Sequence, residues 1–366
     1  MKRRTSVINN VILFAIVIGL VFAVAFYGNA KYKNPDLAVV IACYLGGAIL
    51  WGLINAFCHE TGHIIACKKN SFKVTVLSVW FFRWTRIRKR FRFDFTMIGN
   101  EAGFTESIPV CGGNMEKRYK NIAAGGIIAS LVLTVISVAM MFTAGHVPIA
   151  VYCIFSISLP VSAYYFLGNI LPMINGGARN DGAIIFGINK KDKALTVACS
   201  VLEIQAALFE GKSPSEIDEK LYFDLPQLPE DDLYFLQLLN ARYYYYLDKG
   251  DAANAKKTSD RLVSLEDYLP KELEYSAKAD SLYNACTFDY NEERADELMY
   301  ELEKYLNSEN TATNLRIKLA YLLYVKKEKE YAEDFYNRGV KVASKCFIKG
   351  LGKTEIKLFD EMKKDF

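Results

Sequence analysis

Four apolar stretches constrain this chain more than any other feature of its sequence. Each approaches the length of about 20 residues that an α-helix needs to cross the hydrocarbon core of a bilayer. The stretches are Val7–Tyr27, Leu37–Cys67, Ile122–Phe142 and Ile149–Leu171. The first is too long for the apolar core of a secretory signal peptide, and no clear cleavage site follows it. The sequence therefore predicts a multi-pass membrane protein with four retained spans.

The balance of charge divides the chain into two unlike parts. Residues 1–190 contain 19 lysines and arginines against 7 acidic residues, whereas residues 191–366 contain 26 against 34. The first part is apolar with basic patches, and the second is polar and rich in tyrosine. This contrast predicts a membrane domain over residues 1–190 and a soluble domain over residues 191–366.

Basic residues in the short loops predict the orientation of the spans, because loops rich in lysine and arginine stay in the cytoplasm. The tail Met1–Ser6 contains 3 such residues, and the segment Lys68–Lys120 contains 12. The loops on the opposite side contain only Lys31 and Lys33. The sequence therefore predicts a cell-membrane protein with both termini in the cytoplasm and a second span that runs from outside to inside.

The second span ends in the motif His-Glu-Thr-Gly-His, residues 59–63. In a helix, His59 and His63 project from one face, so two imidazoles can bind one zinc ion. Glu60 lies beside them, where it can hold a zinc-bound water and accept its proton. His59 lies 22 residues beyond Leu37, which is about 33 Å of helix. The motif is therefore predicted near the cytoplasmic face.

A hydrolytic zinc site also needs a third protein ligand and one open position for water. His146, the remaining histidine, is predicted in an outer loop, on the wrong side of the membrane. Asp181 follows the fourth span on the inner side, where Pro172 and several glycines interrupt the helix. Irregular backbone at membrane depth is tolerated where it lines a cavity. The other residues that position alone leaves open are Asp94, Glu101, Glu106, Glu116, Cys58 and Cys67.

These motifs together resemble the site-2 protease family of intramembrane zinc metallopeptidases. That family combines a His-Glu-x-x-His helix with a later Asn-x-x-Pro segment leading to Asp-Gly. The matching residues are His59, Glu60 and His63, then Asn169–Pro172, then Asp181–Gly182. The stretch Ala123–Leu133 is weakly similar to the Gly-Pro-x-x-Asn stretch of the family, with Ile127 and Ser130 at the Pro and Asn positions. The separation of Pro172 from Asp181 is longer than in the commonest form of the family.

The resemblance implies zinc as the cofactor, with His59, His63 and Asp181 as its ligands. It also implies Glu60 as the catalytic base and Asn169 as a contact to the substrate. The substrate would be a membrane-anchored protein or peptide, cleaved near the cytoplasmic face of the lipid bilayer. One alternative is a membrane metalloprotease similar to the CAAX prenyl proteases, with Glu203 as the third ligand. Another is an inactive, protease-like membrane adaptor that recruits a partner.

The segment between the second and third spans has the pattern of a small β-hairpin. Phe72–Phe82 and Arg90–Ile98 alternate apolar and polar residues and are rich in β-branched and aromatic ones. Such a hairpin could bind an unwound substrate by strand addition, or it could rest on anionic lipid headgroups. Its arginines and phenylalanines could also stack on nucleic acid, but beside a membrane no nucleic-acid partner is expected.

The soluble part has amphipathic helical patterns and three related stretches. They are Ala241–Leu265, Ala277–Leu306 and Leu315–Ala343, with Ala255, Ala295 and Ala332 at equivalent small positions. They resemble tetratricopeptide-like repeats, whose concave surface would bind a peptide or protein partner. The alternative is a helical cap that only stabilises the protease core. The predicted fold is therefore mainly α: a polytopic membrane bundle with a small β-hairpin insertion, followed by a soluble helical repeat domain.

Overall fold

The chain folds into a mainly helical structure, seen in a computed structural model that describes residues 3–87, 90–95, 102–175 and 178–365. Several predicted features lie outside these residues: the end of the second predicted strand, at 96–98, Glu101 and the pair Gly176–Gly177. The fold divides into two compact units. The first comprises Met1–Ile108 and Gly113–Asp192, and the second comprises Pro109–Gly112 and Lys193–Phe366. The boundary predicted at residue 190 lies two residues before that division.

Four helical segments among the described residues are long and apolar enough to cross a membrane, as the sequence predicts. They are Ser6–Asn29, Leu37–Lys69, Met115–Met141 and Ile149–Ile170. The first three lie in the continuous helices α1 (Arg3–Asn29), α2 (Leu37–Lys69) and α3 (Met115–Met141). Asp36 caps α2 by accepting from the amides of Ala38 and Val39, and Asn114 caps α3 by accepting from that of Lys117.

The fourth span is broken, which the sequence analysis did not predict. It consists of α4 (Ile149–Ser156) and α5 (Ser158–Ile170), with a turn at Ile157. Pro160 accounts for the break, because it has no amide hydrogen to donate to the carbonyl of Ser156 one turn earlier. Ser156 and Ser158 on either side of the interruption are buried, as is Ser162.

The first unit is a helical bundle built around α2. This helix packs against α3, α4 and α5; α3 also contacts α5, and α1 packs on α5. A short strand pair, β5 (Ile174–Asn175) with β6 (Ala178–Arg179), leads into α6 (Asp181–Asn189), which packs on α3. Helix α6 and the part of α2 that contains the His-Glu-Thr-Gly-His motif therefore both pack against α3.

The predicted β-hairpin is in fact a four-stranded sheet with the order β3-β2-β1-β4, so the prediction of two strands was wrong. The strands, in chain order, are β1 (Phe72–Val79), β2 (Phe82–Ile87), β3 (Arg90–Phe95) and β4 (Gly103–Pro109). The chain reverses at Trp80, whose φ of 51° is left-handed, within the apolar run Val79–Phe82. Most of β2 therefore lies between the two predicted strands, Phe72–Phe82 and Arg90–Ile98.

The second unit contains the helices that follow α6. They are α7 (Lys193–Glu210), α8 (Lys220–Phe223), α9 (Leu233–Lys249), α10 (Ala252–Val263), α11 (Lys271–Thr287), α12 (Glu292–Ser308), α13 (Ala312–Tyr321), a π-helical turn (Leu322–Lys326), α14 (Ala332–Ala343) and α15 (Lys349–Met362). Single turns of 3₁₀-helix are Pro214–Glu216, Glu266–Tyr268, Lys329–Tyr331 and Lys363–Asp365. Leu282, Leu302, Leu319 and Phe359 are fully buried in the core of this unit.

Three turns of the second unit share one geometry. Gly250, Tyr290 and Lys327 have left-handed φ values of 79°, 48° and 60°. Each lies five positions before one of the alanines singled out above, and Ala255, Ala295 and Ala332 are all fully buried. In the first two turns the next residue, Asp251 or Asn291, caps the following helix. The same turn therefore introduces α10, α12 and α14 at spacings of 40 and 37 residues.

Candidate metal centre

The two histidines of the motif face each other across one turn of α2. Their Nε2 atoms lie 3.1 Å apart, and the ring planes meet at 86°. His59 is buried, with 6 % of its surface exposed, and the side chain of His63 is 12 % exposed. This is the arrangement expected of residues i and i+4 on a helix face that is turned into the bundle.

Both histidines are oriented from α3 through their other ring nitrogen. His63 Nδ1 lies 2.8 Å from the carbonyl oxygen of Ile122, and His59 Nδ1 lies 2.9 Å from Oγ of Ser130. A carbonyl oxygen only accepts, so His63 Nδ1 carries the hydrogen and the neutral ring has its lone pair on Nε2. Ser130 can accept from His59 in the same way. Both Nε2 lone pairs are then directed at the space between the rings.

Asp181, the first residue of α6, completes the cluster. Its Oδ2 lies 3.3 Å from Nε2 of His59 and 3.3 Å from Nε2 of His63. This oxygen is buried and has no hydrogen-bond donor in bonding geometry among the described residues. We call His59, His63 and Asp181 the ligand cluster; it is the only group of three or more potential metal-binding side chains found within the described residues.

The ligand cluster could hold a divalent cation, because its donor atoms all lie within 4.8 Å of one another. Its three donor atoms form a triangle with sides of 3.1, 3.3 and 3.3 Å. Zinc bonds of about 2.0–2.2 Å in a tetrahedral site separate the ligand atoms by about 3.3–3.6 Å. Two facing lone pairs and an unpartnered carboxylate oxygen repel one another unless a positive charge lies between them. Imidazole and carboxylate together are ligands that zinc uses in catalytic sites.

Glycines on α2 and α3 permit this close approach. A Cβ at Gly126 would lie 2.4 Å from Nε2 of His63 and 2.7 Å from Cε1 of His59. A Cβ at Gly62 would lie 2.3 Å from the carbonyl oxygen of Gly125. Side chains at these positions would push α3 away from the imidazoles. The sequence analysis noted this stretch of α3 only as a weak family similarity, and its steric role becomes visible in the structure.

Glu60 is buried beside the ligand cluster, with 4 % of its surface exposed, and contacts the strand β4. Thr105 donates from Oγ1 to Glu60 Oε2 at 2.5 Å. A Cβ at Gly103 would lie 2.6 Å from the other carboxylate oxygen. Sequence reasoning missed both residues of β4, because neither belongs to a motif and they are more than 40 positions from Glu60. The strand holds the carboxylate in one orientation.

The other candidate residues lie outside the ligand cluster. The amide of Asn169 donates to the carbonyl of Tyr165 in its own helix at 2.9 Å, so its predicted contact to a substrate stays a prediction. His146 is exposed after α3, and Glu203 lies in α7 of the second unit. The remaining candidates with described side chains are also absent from the cluster: Cys58, Cys67, Glu106 and Glu116. The side chains of Asp94 and Glu101 lie outside the described part.

Comparisons with protein-family models, with curated proteins and with solved structures found no match to this chain.

Proposed function

We propose that the protein is an intramembrane zinc metallopeptidase that cleaves a membrane-anchored protein or peptide near the cytoplasmic face. The ligand cluster is the observation that carries this proposal, because its three donor atoms are spaced for one tetrahedral cation. Glu60 is adjacent in sequence and buried with the cluster. The helices that bear these groups belong to a bundle with four segments long and apolar enough to span a membrane.

The chemistry divides between the cation and the protein. His59, His63 and Asp181 would hold the zinc ion, which when bound polarises a carbonyl and lowers the pKa of a water molecule. Glu60 accepts the proton of the attacking water and returns it to the leaving amine. Thr105, which occupies Oε2 of Glu60, leaves Oε1 as the oxygen for that proton. The carbonyl of Ile122 keeps His63 in the tautomer that a cation requires, and Ser130 can accept from His59 to the same effect.

The buried position of the site favours a membrane-anchored substrate. Glu60 and His59 are nearly inaccessible, in a helix whose flanking residues are apolar. A peptide bond within a substrate helix is shielded by its own hydrogen bonds, so the substrate must unwind before attack. The bias of lysine and arginine toward the tail and the loop after α2 supports cytoplasmic termini and a site close to the cytoplasm.

Asp181 rather than Glu203 is supported as the third ligand, since only Asp181 has an oxygen within 3.3 Å of both imidazoles among the described residues. This favours a mechanism similar to that of the site-2 proteases over one similar to that of the CAAX prenyl proteases. For the second unit we propose a tetratricopeptide-like repeat domain that binds a peptide or protein. The three equivalent turns before Ala255, Ala295 and Ala332 support it.

The test replaces Glu60 by Gln in the full-length protein, with Glu116→Gln as the matched control at an exposed position of α3. We expect all three proteins to bind one equivalent of zinc in detergent, measured by elemental analysis. We expect Glu60→Gln to lower proteolysis by about 10²–10⁴-fold, because the proton acceptor is lost. Proteolysis is measured by mass spectrometry, which quantifies fragments of membrane-anchored proteins in cells that produce the wild type or one of the two variants.

Two outcomes would contradict the proposal. Wild-type protein without zinc after purification and reloading would remove the metal centre. Equal fragment patterns for wild type and Glu60→Gln, in proteins that both bind zinc, would instead support an inactive adaptor. The Asp181→Asn variant tests the metal centre independently of Glu60. It should fail to retain zinc although Glu60 is intact.

A further inference from the structure

The segment between α5 and α6 carries Asp181, yet it contains little regular structure. It leaves α5 at Ile170, forms the two-residue strands β5 and β6, and re-enters helical structure at Asp181. Loops usually place their residues less firmly than helices do, because few contacts hold them. A ligand on such a segment must be held by specific bonds if it is to meet two imidazoles from α2.

Asn180, the residue before Asp181, supplies four of those bonds. Its Oδ1 accepts from the amides of Met173 and Ala183, each at 2.9 Å. Its Nδ2 donates to the carbonyls of Gly168 and Leu171, each at 2.7 Å. A carboxamide has two donor hydrogens and two acceptor positions, so Asn180 uses its whole capacity. It ties the end of α5, the connecting segment and the first turn of α6 together.

The first helix holds the same segment from the other side. Ser6 Oγ accepts from the amide of Ile174 at 3.0 Å, and Asn9 Nδ2 donates to the carbonyl of Pro172 at 2.8 Å. Ser6 is buried, with 4 % of its surface exposed. Polar side chains in an apolar span are costly unless partnered, so their partners are informative. Here both partners are backbone groups of the segment that leads to Asp181.

We propose that Asn180, Ser6 and Asn9 form a brace that positions Asp181 for metal binding, with Asn180 as its main positioning residue. None of the three is a member of the ligand cluster. The brace rests on the proposed zinc site and adds that α1, which contributes no ligand, is part of its scaffold. Without the brace, the segment that carries Asp181 must become ordered when a cation binds. The loss of conformational entropy then lowers the affinity for zinc.

Asn180→Asp is the sharpest test, because the substitution is isosteric. The carboxylate keeps both acceptor positions for Met173 and Ala183, but it loses both donors and faces the carbonyls of Gly168 and Leu171. The matched control is Asn189→Asp at the other end of α6. Asn189 is exposed and accepts from Lys120, a bond that a carboxylate retains.

The measurement is the affinity of the full-length protein in detergent for Zn²⁺ alone, by competition with a chelator of known strength. Groups that orient metal ligands typically change affinity by about 10–100-fold when removed. We expect a loss in that range for Asn180→Asp, no change for Asn189→Asp, and a loss of up to about tenfold for Asn9→Leu. The thiol of Cys153, which is fully buried in α4, should stay protected from a maleimide in each zinc-free variant.

Each result decides one question. If wild-type protein does not bind zinc, the proposed function fails, and the brace fails with it. If wild type binds zinc and Asn180→Asp binds it equally well, the brace is wrong and the metal centre stands. If Asn180→Asp exposes Cys153, the change has unfolded the bundle and Asn9→Leu decides: folded protein with unchanged affinity overturns the proposal.

Discussion

Each of the two units buries a cluster of ionisable side chains, and the two clusters differ in where their positive charge comes from. In the first unit, the ligand cluster brings two imidazole lone pairs and a carboxylate oxygen within 3.3 Å of one another. In the second unit, Arg316 is fully buried between Asp280 and Glu355. We call these three residues the arginine cluster.

The arginine cluster contains its own cation. Arg316 donates from Nε to Oε2 of Glu355 at 2.8 Å, and its guanidinium carbon lies 4.0 Å from the ring centroid of Tyr283. Glu355 also accepts from Thr313 at 2.7 Å. Oδ1 of Asp280 lies 3.7 Å from Nη2 of Arg316, an ion pair that is too long for a hydrogen bond. Charge opposes charge inside the protein, as a structural ion pair requires.

The ligand cluster contains no arginine or lysine, so a positive charge within it requires a protonated imidazole or an added cation. With both imidazoles neutral, its groups would repel one another without an added cation. The arginine cluster contains a permanent cation, although Nη1 and Nη2 of Arg316 have no hydrogen-bond partner among the described residues. Burial of polar groups therefore has two meanings in one chain. We interpret the arginine cluster, which contains its own cation, as part of the fold. We interpret the ligand cluster, whose histidines contact Ser130 and the carbonyl of Ile122, as a proposed cation-binding site.

The largest effect on stability is expected from Arg316→Met, which tests whether the arginine cluster stabilises the second unit. Removing the cation leaves two buried carboxylates unpaired, which should lower the free energy of unfolding of the second unit by about 3–5 kcal/mol. Cys286 is fully buried in that unit, so the rate at which its thiol reacts in native protein reports local unfolding. We expect this rate to rise steeply, while zinc binding by the full-length protein is unchanged.

A triple variant provides the control for Arg316→Met. Replacing Arg316, Asp280 and Glu355 together by apolar residues of similar volume removes the whole charge problem, and such exchanges are often neutral or stabilising. We expect the triple variant to protect Cys286 far better than the single one. Equal reactivity of Cys286 in wild type and Arg316→Met would show that the cluster does not hold the second unit together.

The sequence reveals the ligand cluster in part because helical periodicity is local. Four residues separate His59 from His63, and any helix brings them to one face, so the motif predicts their contact. Asp181 was one candidate by its place after the fourth span, and the family resemblance implied it as the ligand; the structure brings it to the histidines. Ser130, Thr105 and Asn180 carry no such signal, since their roles arise from packing between distant segments.

The arginine cluster was not predicted at all. Arg316 lies 36 residues from Asp280 and 39 from Glu355, each on a different helix among many charged residues. In an amphipathic helical region, most arginines face water, and composition does not distinguish the buried one. The four spans were predicted because 20 apolar residues form a local signal, whereas the strand β4 depends on tertiary contacts.

A smaller effect is expected from Ser130→Ala, which tests whether the ligand cluster is organised for a cation. The change removes the partner of His59 Nδ1. We expect zinc affinity to fall by about tenfold, the lower end of the range for groups that orient metal ligands. The control is Ser137→Ala, also on α3 and fully buried, whose hydroxyl contacts Leu133 and Ser162. Equal losses in both variants would assign the effect to helix packing instead.

The smallest effect concerns pH and the arginine cluster. Burial raises the pKa of Asp280 to about 7, although Arg316 lowers it, and Glu355 raises it further. In the unfolded chain the same carboxyl titrates near its ordinary pKa of about 3.9. Between these values the folded unit holds a proton that the unfolded chain has released. This stabilisation is complete below about pH 4 and is lost as the pH rises through about 7.

The second unit should therefore become less stable between pH 6 and pH 8, by on the order of 1 kcal/mol. All 3 histidines of the chain lie in the first unit, so none of them titrates in the second over this range. The measurement is hydrogen exchange of the α11 and α13 amides, corrected for the intrinsic effect of pH. Asp280→Asn should flatten the dependence, whereas Asp296→Asn, at an exposed carboxyl whose pKa Lys326 and Tyr321 lower, should leave it intact. A slope that persists in Asp280→Asn would place the titrating group outside the arginine cluster.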